Sequence, residues 1–261
     1  MDGHAIERIA QAFVTARTEG KALPDYPGER PRTLAEAYEV QDHALRLWDR
    51  PVGGWKVGKI PPPVDGELGA NRLIGPIMAD TIYEQVGSPI AMPVFEKGFA
   101  AAEAEFAIRI RVPQGAKLPT NDAETYDWVE EIRIAIEIAS SPYPGINADG
   151  PCVTVSDHGN NAGLVLGPVL PRERWDRIND IAVETIIDGA SVGKATTASM
   201  LDGPFGAVRF LLANLDQRGL MAQAPGWVSS GAVTGVHDVT VGQSVEARFE
   251  GAGSVSALIT A

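Results

Sequence analysis

Two stretches indicate the fold most clearly: Ala102-Glu103-Ala104-Glu105-Phe106-Ala107-Ile108-Arg109-Ile110 and Ile132-Arg133-Ile134-Ala135-Ile136-Glu137-Ile138. In each stretch, large apolar side chains recur at every second position, and charged side chains share the opposite face. A period of two is typical of a β-strand that is buried on one face. The two stretches therefore predict a pair of amphipathic strands whose acidic residues lie opposite the large apolar residues.

The acidic positions of these strands predict a site for a divalent metal ion. Glu103 and Glu105 stand two residues apart and so on one strand face, and Glu137 can add a third carboxylate from the second strand. Three converging carboxylates form an oxygen cage that suits a hard cation such as Mg²⁺ or Mn²⁺. The alternative is an ordinary solvated strand face, because acidic residues are mostly exposed.

The N-terminal part of the chain, residues 1–52, has the pattern of two helices. An apolar face recurs within residues 6–13 and stops at Gly20. Thr33-Leu34-Ala35-Glu36 has the form of a capping box, which starts a second helix. This second helix is expected to end before Pro51.

The remainder, residues 53–261, has the pattern of a mixed β domain. The 28 glycines and 19 prolines of the chain favour many turns between short strands. Regular helix–strand alternation is missing, so an α+β fold with a β-sandwich or roll is expected rather than a doubly wound sheet. One helix interrupts this half, beginning at Pro204 and ending before Gly219. The predicted strands are 55–60, 103–112, 131–139, 163–169, 182–187, 227–233, 244–250 and 254–260.

The composition narrows the classes of function. The 34 acidic and 22 basic residues give a net charge of -12, which disfavours nucleic acid and anionic membrane surfaces as partners. Cys152 is the only cysteine, so no intramolecular disulfide forms and a cytoplasmic location is expected. Neither a signal peptide nor a membrane-spanning stretch is expected.

Seven motifs follow one another along the chain. They are Ala37-Tyr38-Glu39-Val40-Gln41, Gly54-Trp55-Lys56-Val57-Gly58, Gly75-Pro76-Ile77-Met78-Ala79-Asp80, the three-glutamate set, and residues 156–167, 204–211 and 230–232. In this order they resemble the 2-keto-4-pentenoate hydratase and 4-oxalocrotonate decarboxylase branch of the fumarylacetoacetate hydrolase superfamily. Three positions depart from that pattern: His158 stands where the family usually has Asn, Lys59 where an apolar or small residue is more usual, and Phe210 where Trp is usual.

The resemblance implies a fold of the fumarylacetoacetate hydrolase type and an enzyme that acts on 2-oxo acids. It implies that Glu103, Glu105 and Glu137 bind Mg²⁺ or Mn²⁺, which stabilises an enolate of the substrate. Lys56 and Asp80 would form a catalytic pair that manages protons and the substrate carboxylate. A surface salt bridge is the alternative for this pair.

Three further polar residues are candidates for the site. His158 could act as a general acid or base near pH 7, or it could be a turn residue whose ring caps backbone groups. Asp157 and Ser230 are candidate substrate-binding residues. A strand serine that faces a neighbouring strand is the plainer interpretation of Ser230.

The first expectation for function is a carbon–oxygen lyase, a hydratase that converts 2-hydroxypenta-2,4-dienoate into a 4-hydroxy-2-oxo acid in aromatic catabolism. The alternative is a 2-oxo-3-hexenedioate (4-oxalocrotonate) decarboxylase, which needs a cation such as Lys59 or Arg72 for a second carboxylate. A third possibility is a non-catalytic partner subunit of such an enzyme. The resemblance also implies a homo-oligomer, or a complex with a pathway enzyme.

Overall fold

The computed structural model describes all of residues 1–261. Its α-helices are Gly3–Glu19 (α1), Leu34–Leu47 (α2), Val64–Leu68 (α3), Asp122–Tyr126 (α4), Pro151–Ser156 (α5) and Gly203–Gln217 (α6). Its strands are Val52–Lys59 (β1), Arg72–Met78 (β2), Ile82–Glu84 (β3), Ile90–Pro93 (β4), Phe99–Ile110 (β5), Val129–Ser141 (β6), Asn161–Val169 (β7), Ala182–Ile187 (β8), Ala190–Thr196 (β9), Gly226–Ser229 (β10), His237–Asp238 (β11), Ser244–Phe249 (β12) and Gly253–Thr260 (β13).

The two N-terminal helices begin and end where their sequence signals stand. The Asp2 side chain accepts a hydrogen bond from Ala5 N–H at the start of α1, and Gly20 ends it at φ +65°, a left-handed conformation that favours glycine. The predicted helix start at Thr33 is confirmed, because the Thr33 side chain accepts from Glu36 N–H. The Glu36 side chain accepts from Arg32 N–H, so the second bond of a capping box is not made to Thr33. The helices bury their apolar faces in a small core of their own, shared with residues 143–153. The division of the chain at residue 52 stays a prediction.

The larger sheet has the strand order β2-β1-β10-β5-β6-β7-β3, with β11 also paired to β5. Its two longest strands, β5 and β6, run antiparallel and place Glu103 directly opposite Glu137. The sheet is strongly curled. Lys56 on β1 lies 3.2 Å from Glu137 on β6, although three strand spacings, roughly 14 Å in a flat sheet, separate these strands.

The smaller sheet has the order β4-β13-β12-β8-β9 and packs against the outer face of the curled sheet. Phe106 of β5 meets Phe249 of β12 there, with ring centroids 5.1 Å apart. The β8–β9 hairpin turns at Asp188 and Gly189, both with positive φ, as their Asp-Gly sequence predicts. The apolar alternation of the strands is thus buried between the two sheets, and α6 adds to the same core.

The predicted α+β architecture is confirmed by this arrangement. The predicted strand at 227–233 was too long, since β10 ends at Ser229. Strand β2 was not predicted, because all seven of its residues are buried and it has no alternation to detect. Cys152 is a buried free thiol. No helix combines the length and apolar character needed to cross a membrane.

Candidate active site

The inner face of the curled sheet forms a small lumen. Successive side chains of a strand point to opposite faces, so the odd-numbered residues of β5 and β6 face the lumen while Phe106 and Ile108 face the core between the sheets. One part of the lumen is apolar, filled by side chains such as Ile77 and Leu164. The other part is polar, and it contains the three glutamates that the sequence singled out.

The three glutamates converge as predicted. One carboxylate oxygen from each of Glu103, Glu105 and Glu137 can be chosen so that all three lie within 4.8 Å of one another. Glu103 is 6% exposed, and the other two are completely buried. The alternative of a solvated strand face is therefore excluded by their burial.

Lys56 is the single cation among these carboxylates. It is 4% exposed, and its ammonium nitrogen lies 3.2 Å from Glu137 Oε2 and donates to Asn160 Oδ1 at 3.2 Å. Burial alone would lower the pKa of Lys56, but the charges of Glu137, Glu103 and Glu105 outweigh it and raise the pKa. The ammonium is therefore charged at neutral pH.

One ammonium does not balance three buried carboxylates. Burial raises the pKa of Glu103 to about 7, with Glu137 adding to the rise and Lys56 opposing it. Burial, Glu137 and Glu103 together raise the pKa of Glu105 well above its usual range. Three ionised carboxylates would therefore carry more negative charge than Lys56 compensates, and the raised pKa values mean that the metal-free protein takes up protons instead.

Two oxygens of this cluster have no hydrogen-bond partner. They are Oε1 of Glu105 and Oε2 of Glu137, the latter near Lys56 but without hydrogen-bond geometry. An unpaired buried acceptor is costly, and buried charges in proteins are normally paired or coordinated to a metal. Three carboxylates with free oxygens are the ligand set that Mg²⁺ or Mn²⁺ prefers, so the residues present fit a hard divalent cation.

The other oxygen of Glu105 and the other oxygen of Glu137 are held by neighbouring donors. The Ser229 hydroxyl and the Gly231 N–H (2.9 Å) both donate to Oε2 of Glu105. Asn161 Nδ2 donates to Oε1 of Glu137 at 2.8 Å. Each of these carboxylates therefore keeps one oxygen fixed and one free, which orients the free oxygens toward a common point.

A short loop, residues 157–161, connects this cluster to the N-terminal helices. Asp157 is completely buried, accepts from the Ser141 hydroxyl at 2.6 Å and pairs with Arg17 of α1. Gly159 has φ +64°, and a Cβ there would lie 3.2 Å from the Lys56 side chain. The next two residues, Asn160 and Asn161, are those that bond Lys56 and Glu137.

His158 and Asp80 lie away from the glutamates. The His158 ring points to the outer side of the loop, where it meets Trp48 edge-on with centroids 4.9 Å apart. Asp80 is exposed and forms its ion pair with Arg50, so the predicted pairing of Asp80 with Lys56 is wrong. The catalytic roles predicted for His158 and Asp80 stay predictions without a contact to the three glutamates.

Asp157 and Ser230 have structural contacts. Asp157 is bonded on both carboxylate oxygens by Arg17, which leaves it oriented toward α1. The Ser230 hydroxyl accepts from Phe106 N–H at 3.1 Å, which matches the plainer interpretation of a strand serine facing its neighbour. Binding of substrate by these two residues stays a prediction.

Four polar residues of the lumen and its support were not predicted from the sequence: Ser229, Asn160, Asn161 and Arg17. Ser229 could have been found from strand alternation, because it shares the lumen face of β10 with Trp227. The two asparagines carry no periodic signal, since Asn160 ends the irregular turn His158–Asn160 and Asn161 is the next residue.

Known proteins resemble this chain in sequence as well as in fold. No protein-family model matches the chain. The chain is 26% identical over 259 residues to a 4-oxalocrotonate decarboxylase of Pseudomonas sp, covering 96% of both chains. It is 25% identical to a 4-oxalocrotonate decarboxylase of Pseudomonas putida, covering 96% of this chain and 94% of the relative.

Solved structures share the fold. The 4-oxalocrotonate decarboxylase from Pseudomonas putida G7, complexed with magnesium and adipate, superposes with a TM-score of 0.81 at 20% identity, covering 99% of this chain and 98% of that one. Fumarylpyruvate hydrolase from Pseudomonas aeruginosa, in complex with Mn²⁺ and pyruvate, gives a TM-score of 0.54 at 15% identity, covering 81% of this chain and 91% of that one. The resemblance predicted from the motifs is confirmed: the chain is similar in sequence to two 4-oxalocrotonate decarboxylases over nearly its whole length, and it shares the fold of the solved one.

Proposed function

We propose that this protein is a divalent-metal-dependent lyase for 2-oxo acids, and that its reaction is decarboxylation of a six-carbon 2-oxo diacid of the 4-oxalocrotonate type. The observation that carries the proposal is the buried cluster of Glu103, Glu105 and Glu137 beside one charged lysine. The two full-length relatives named as 4-oxalocrotonate decarboxylases support decarboxylation better than the hydration first expected from sequence. The solved relative named with magnesium and adipate supports the metal and the diacid.

The three glutamates would hold Mg²⁺ or Mn²⁺ through their free oxygens. When bound, the cation would supply the positive charge that stabilises an enolate developing on a 2-oxo acid. Ser229, Gly231 and Asn161 fix the opposite oxygens of Glu105 and Glu137. Their donors therefore pre-orient the cage before a cation arrives.

Lys56 would bind the substrate carboxylate or hold a proton for the reaction. Its ammonium is charged, nearly dry and directed into the lumen by Asn160. A desolvated ammonium interacts strongly with a carboxylate, because the surrounding dielectric is low. Lys56 thus contributes orientation and charge where the reacting carbons would lie.

The second carboxylate of a diacid needs a further cation, and two lie at the adjoining ends of β1 and β2. Lys59 and Arg72 are paired in the strand register and line a cavity of about 330 Å³. Ser230 and Gly231 line the same cavity, and Gly231 N–H bonds Glu105, so the cavity adjoins the glutamate cluster. Lys59 stands three positions after Lys56, roughly 10 Å along the strand, and its side chain starts on the opposite strand face.

Of these two cations, Lys59 is the better candidate for the distal carboxylate. Arg72 is already paired with Asp202, whereas Lys59 is exposed and makes no ion pair. A six-carbon diacid spans roughly 6 Å between its terminal carbons. Lys59 is the last residue of β1, so its flexible side chain would have to bend around the strand end to meet a diacid whose other end lies near Lys56.

The decisive experiment supplies two substrates to metal-stripped protein, before and after addition of Mg²⁺ or Mn²⁺. Metal-dependent CO₂ release from 2-oxo-3-hexenedioate establishes the decarboxylase, and Glu105→Gln should abolish it. Gain of one water by 2-hydroxypenta-2,4-dienoate, without CO₂ release from the diacid, would establish the hydratase instead. Tight metal binding with no turnover of either substrate would favour the non-catalytic partner subunit.

The role of Lys59 has its own test. Lys59→Met should raise KM for the diacid by about tenfold, the effect of one charge-assisted contact, while metal affinity stays unchanged. Lys117→Met is the matched control, because Lys117 is equally exposed, makes no ion pair and lies on a distant loop. Equal KM values for both variants and the wild type would show that Lys59 does not bind the diacid.

A further inference from the structure

A second cavity, of about 350 Å³, lies outside the lumen between the N-terminal helices and the sheet. It is bounded by Trp48 and Arg50 beyond the end of α2, by Met78 of β2, by Phe95 after β4 and by His158 of the connecting loop. Most of this lining is apolar and aromatic. A pocket with apolar walls and a few convergent polar groups is the usual form of a small-molecule site.

This cavity is separate from the glutamate cluster. Pro76 and Met78 line it, whereas the odd-numbered Gly75 and Ile77 face the lumen, so the cavity lies on the outer face of β2. The connecting loop 157–161 forms the partition between the two. Asn160 faces Lys56 on the lumen side, and the His158 ring occupies the cavity side.

His158 is the first sign that the cavity receives a ligand. The residue is 2% exposed, and neither of its ring nitrogens has a hydrogen-bond partner. Its nearest carboxylate oxygen, Oδ1 of Asp157, is 3.6 Å from Nδ1 and is already bonded by Arg17. A buried ring with unpaired nitrogens is rare in native proteins, and a ligand group in the cavity would provide the missing partner.

Arg50 is the second sign. Its Nε and Nη2 atoms bond Asp80, while Nη1 makes no hydrogen bond, and its guanidinium lies 5.2 Å from the Trp48 ring centroid. Arg17 also lines the cavity, but its donors are taken by Asp157, Ser140 and Asn161. The cation with a free donor beside His158 is therefore Arg50.

We propose that this cavity binds a small aromatic carboxylate. The flat ring would lie among Trp48, Met78 and Phe95, and the carboxylate would accept from Arg50 Nη1 and from the N–H of His158. The site has no part in the proposed reaction. It lies outside the lumen, and its lining includes none of the three glutamates or Lys56, although Asn161 lines it and also bonds Glu137.

The test uses 4-fluorobenzoate as the probe, followed by ¹⁹F NMR with the full-length protein, both metal-free and saturated with Mg²⁺. We expect saturable binding in both states. Arg50→Met should weaken it about tenfold, and Asp80→Asn, which frees the guanidinium, should strengthen it. Arg46→Met is the matched control, because Arg46 is an exposed arginine on α2 that does not line the cavity.

Binding in the lumen is distinguished by Glu105→Gln. That variant should leave the affinity for 4-fluorobenzoate unchanged if the probe occupies the outer cavity. Binding that requires Mg²⁺ and is lost in Glu105→Gln would place the probe at the glutamates and overturn the proposal. Absence of saturable binding to the wild type, or equal affinities for Arg50→Met and Arg46→Met, would also overturn it. None of these outcomes depends on whether the protein is a decarboxylase.

Discussion

Two buried charged clusters lie on opposite sides of the loop 157–161, and they differ in how completely their charges are compensated. On one side Asp157 accepts two hydrogen bonds from Arg17 and one from Ser141, so its charge is fully matched. On the other side three glutamates face one lysine, and two carboxylate oxygens have no partner. Both clusters are nearly dry, so solvent exposure does not explain the difference.

The difference is also seen in the pKa values. Burial alone would raise the pKa of Asp157, but the charge of Arg17 and the hydrogen bonds outweigh it and lower the pKa to about 2. In the lumen burial prevails, and the pKa of Glu103 rises to about 7. The compensated cluster stabilises the docking of α1, whereas the uncompensated cluster stores unfavourable charge that a cation can relieve.

The largest expected effect comes from breaking the compensated cluster. Arg17→Met leaves the buried Asp157 charge without its counter-ion, and we expect the free energy of unfolding to fall by about 3–5 kcal/mol. Urea unfolding measures it. Arg8→Met, on the exposed face of α1, is the control and should change little. A loss under about 1 kcal/mol for Arg17→Met would mean that this cluster does not secure the helices.

The second prediction uses pH, because the two clusters respond with opposite signs. The pKa of Glu103 is raised from 4.5 to about 7, so its protonated form stabilises the metal-free fold below pH 4.5 and this contribution is lost as pH rises through 7. The pKa of Asp157 is lowered from 3.8 to about 2, so its contribution is present above pH 3.8 and is lost as pH falls through 2.

Metal-free protein should therefore gain about 2–3 kcal/mol from Glu103 between pH 7.5 and pH 5. The measurement is urea unfolding of wild type and Glu103→Gln at both pH values, since the variant lacks this titration and other groups cancel in the difference. Saturating Mg²⁺ should suppress the gain, because the ion binds the ionised carboxylates. If the free energy of unfolding changed with pH by the same amount in the wild type and in Glu103→Gln, the charge of the lumen would be compensated within the metal-free protein.

These clusters also show what the sequence could predict. The period of two in β5 and β6 placed Glu103, Glu105 and Glu137 on one face, and face assignment is local information that a single sequence contains. Pairing across the lumen is not local. Lys56 meets Glu137 only because the sheet curls. The partner predicted from the sequence, Asp80, lies beyond the end of β2.

The N-terminal segment illustrates the same limit. The cap at Thr33 and the stop at Gly20 correctly predicted where α2 begins and where α1 ends, because caps depend on neighbouring residues. The role of Arg17 could not be predicted, since its partner Asp157 is 140 residues away and an arginine in the last turn of a helix is ordinary. The chemistry of His158 predicts a site residue. Its backbone conformation, at φ +56°, directs the ring to the outer cavity, and the sequence does not show this.

The third prediction removes one charge from the uncompensated cluster. Glu105→Gln keeps the acceptor for Ser229 and Gly231 but relieves repulsion, so the metal-free protein should gain about 2 kcal/mol at pH 7.5. Mg²⁺, which should raise the Tm of the wild type, should leave that of the variant unchanged. Glu130→Gln is the control, because Glu130 is an exposed glutamate of β6. If metal-free Glu105→Gln were less stable than the metal-free wild type, the carboxylates of the lumen would not be in excess over its cation.

The smallest expected effect concerns the donors that orient the free oxygens. Ser229→Ala removes the hydroxyl bonded to Glu105 Oε2 and leaves only the Gly231 N–H, so we expect affinity for Mg²⁺ to fall about tenfold, or about 1.4 kcal/mol. Calorimetric titration of metal-free protein measures it. Ser230→Ala is the matched control, because that hydroxyl bonds the Phe106 backbone and not a glutamate. Equal weakening of Mg²⁺ binding by Ser230→Ala and Ser229→Ala would mean that the two effects do not come from direct contact with Glu105. The proposal that Ser229 orients Glu105 would then be wrong.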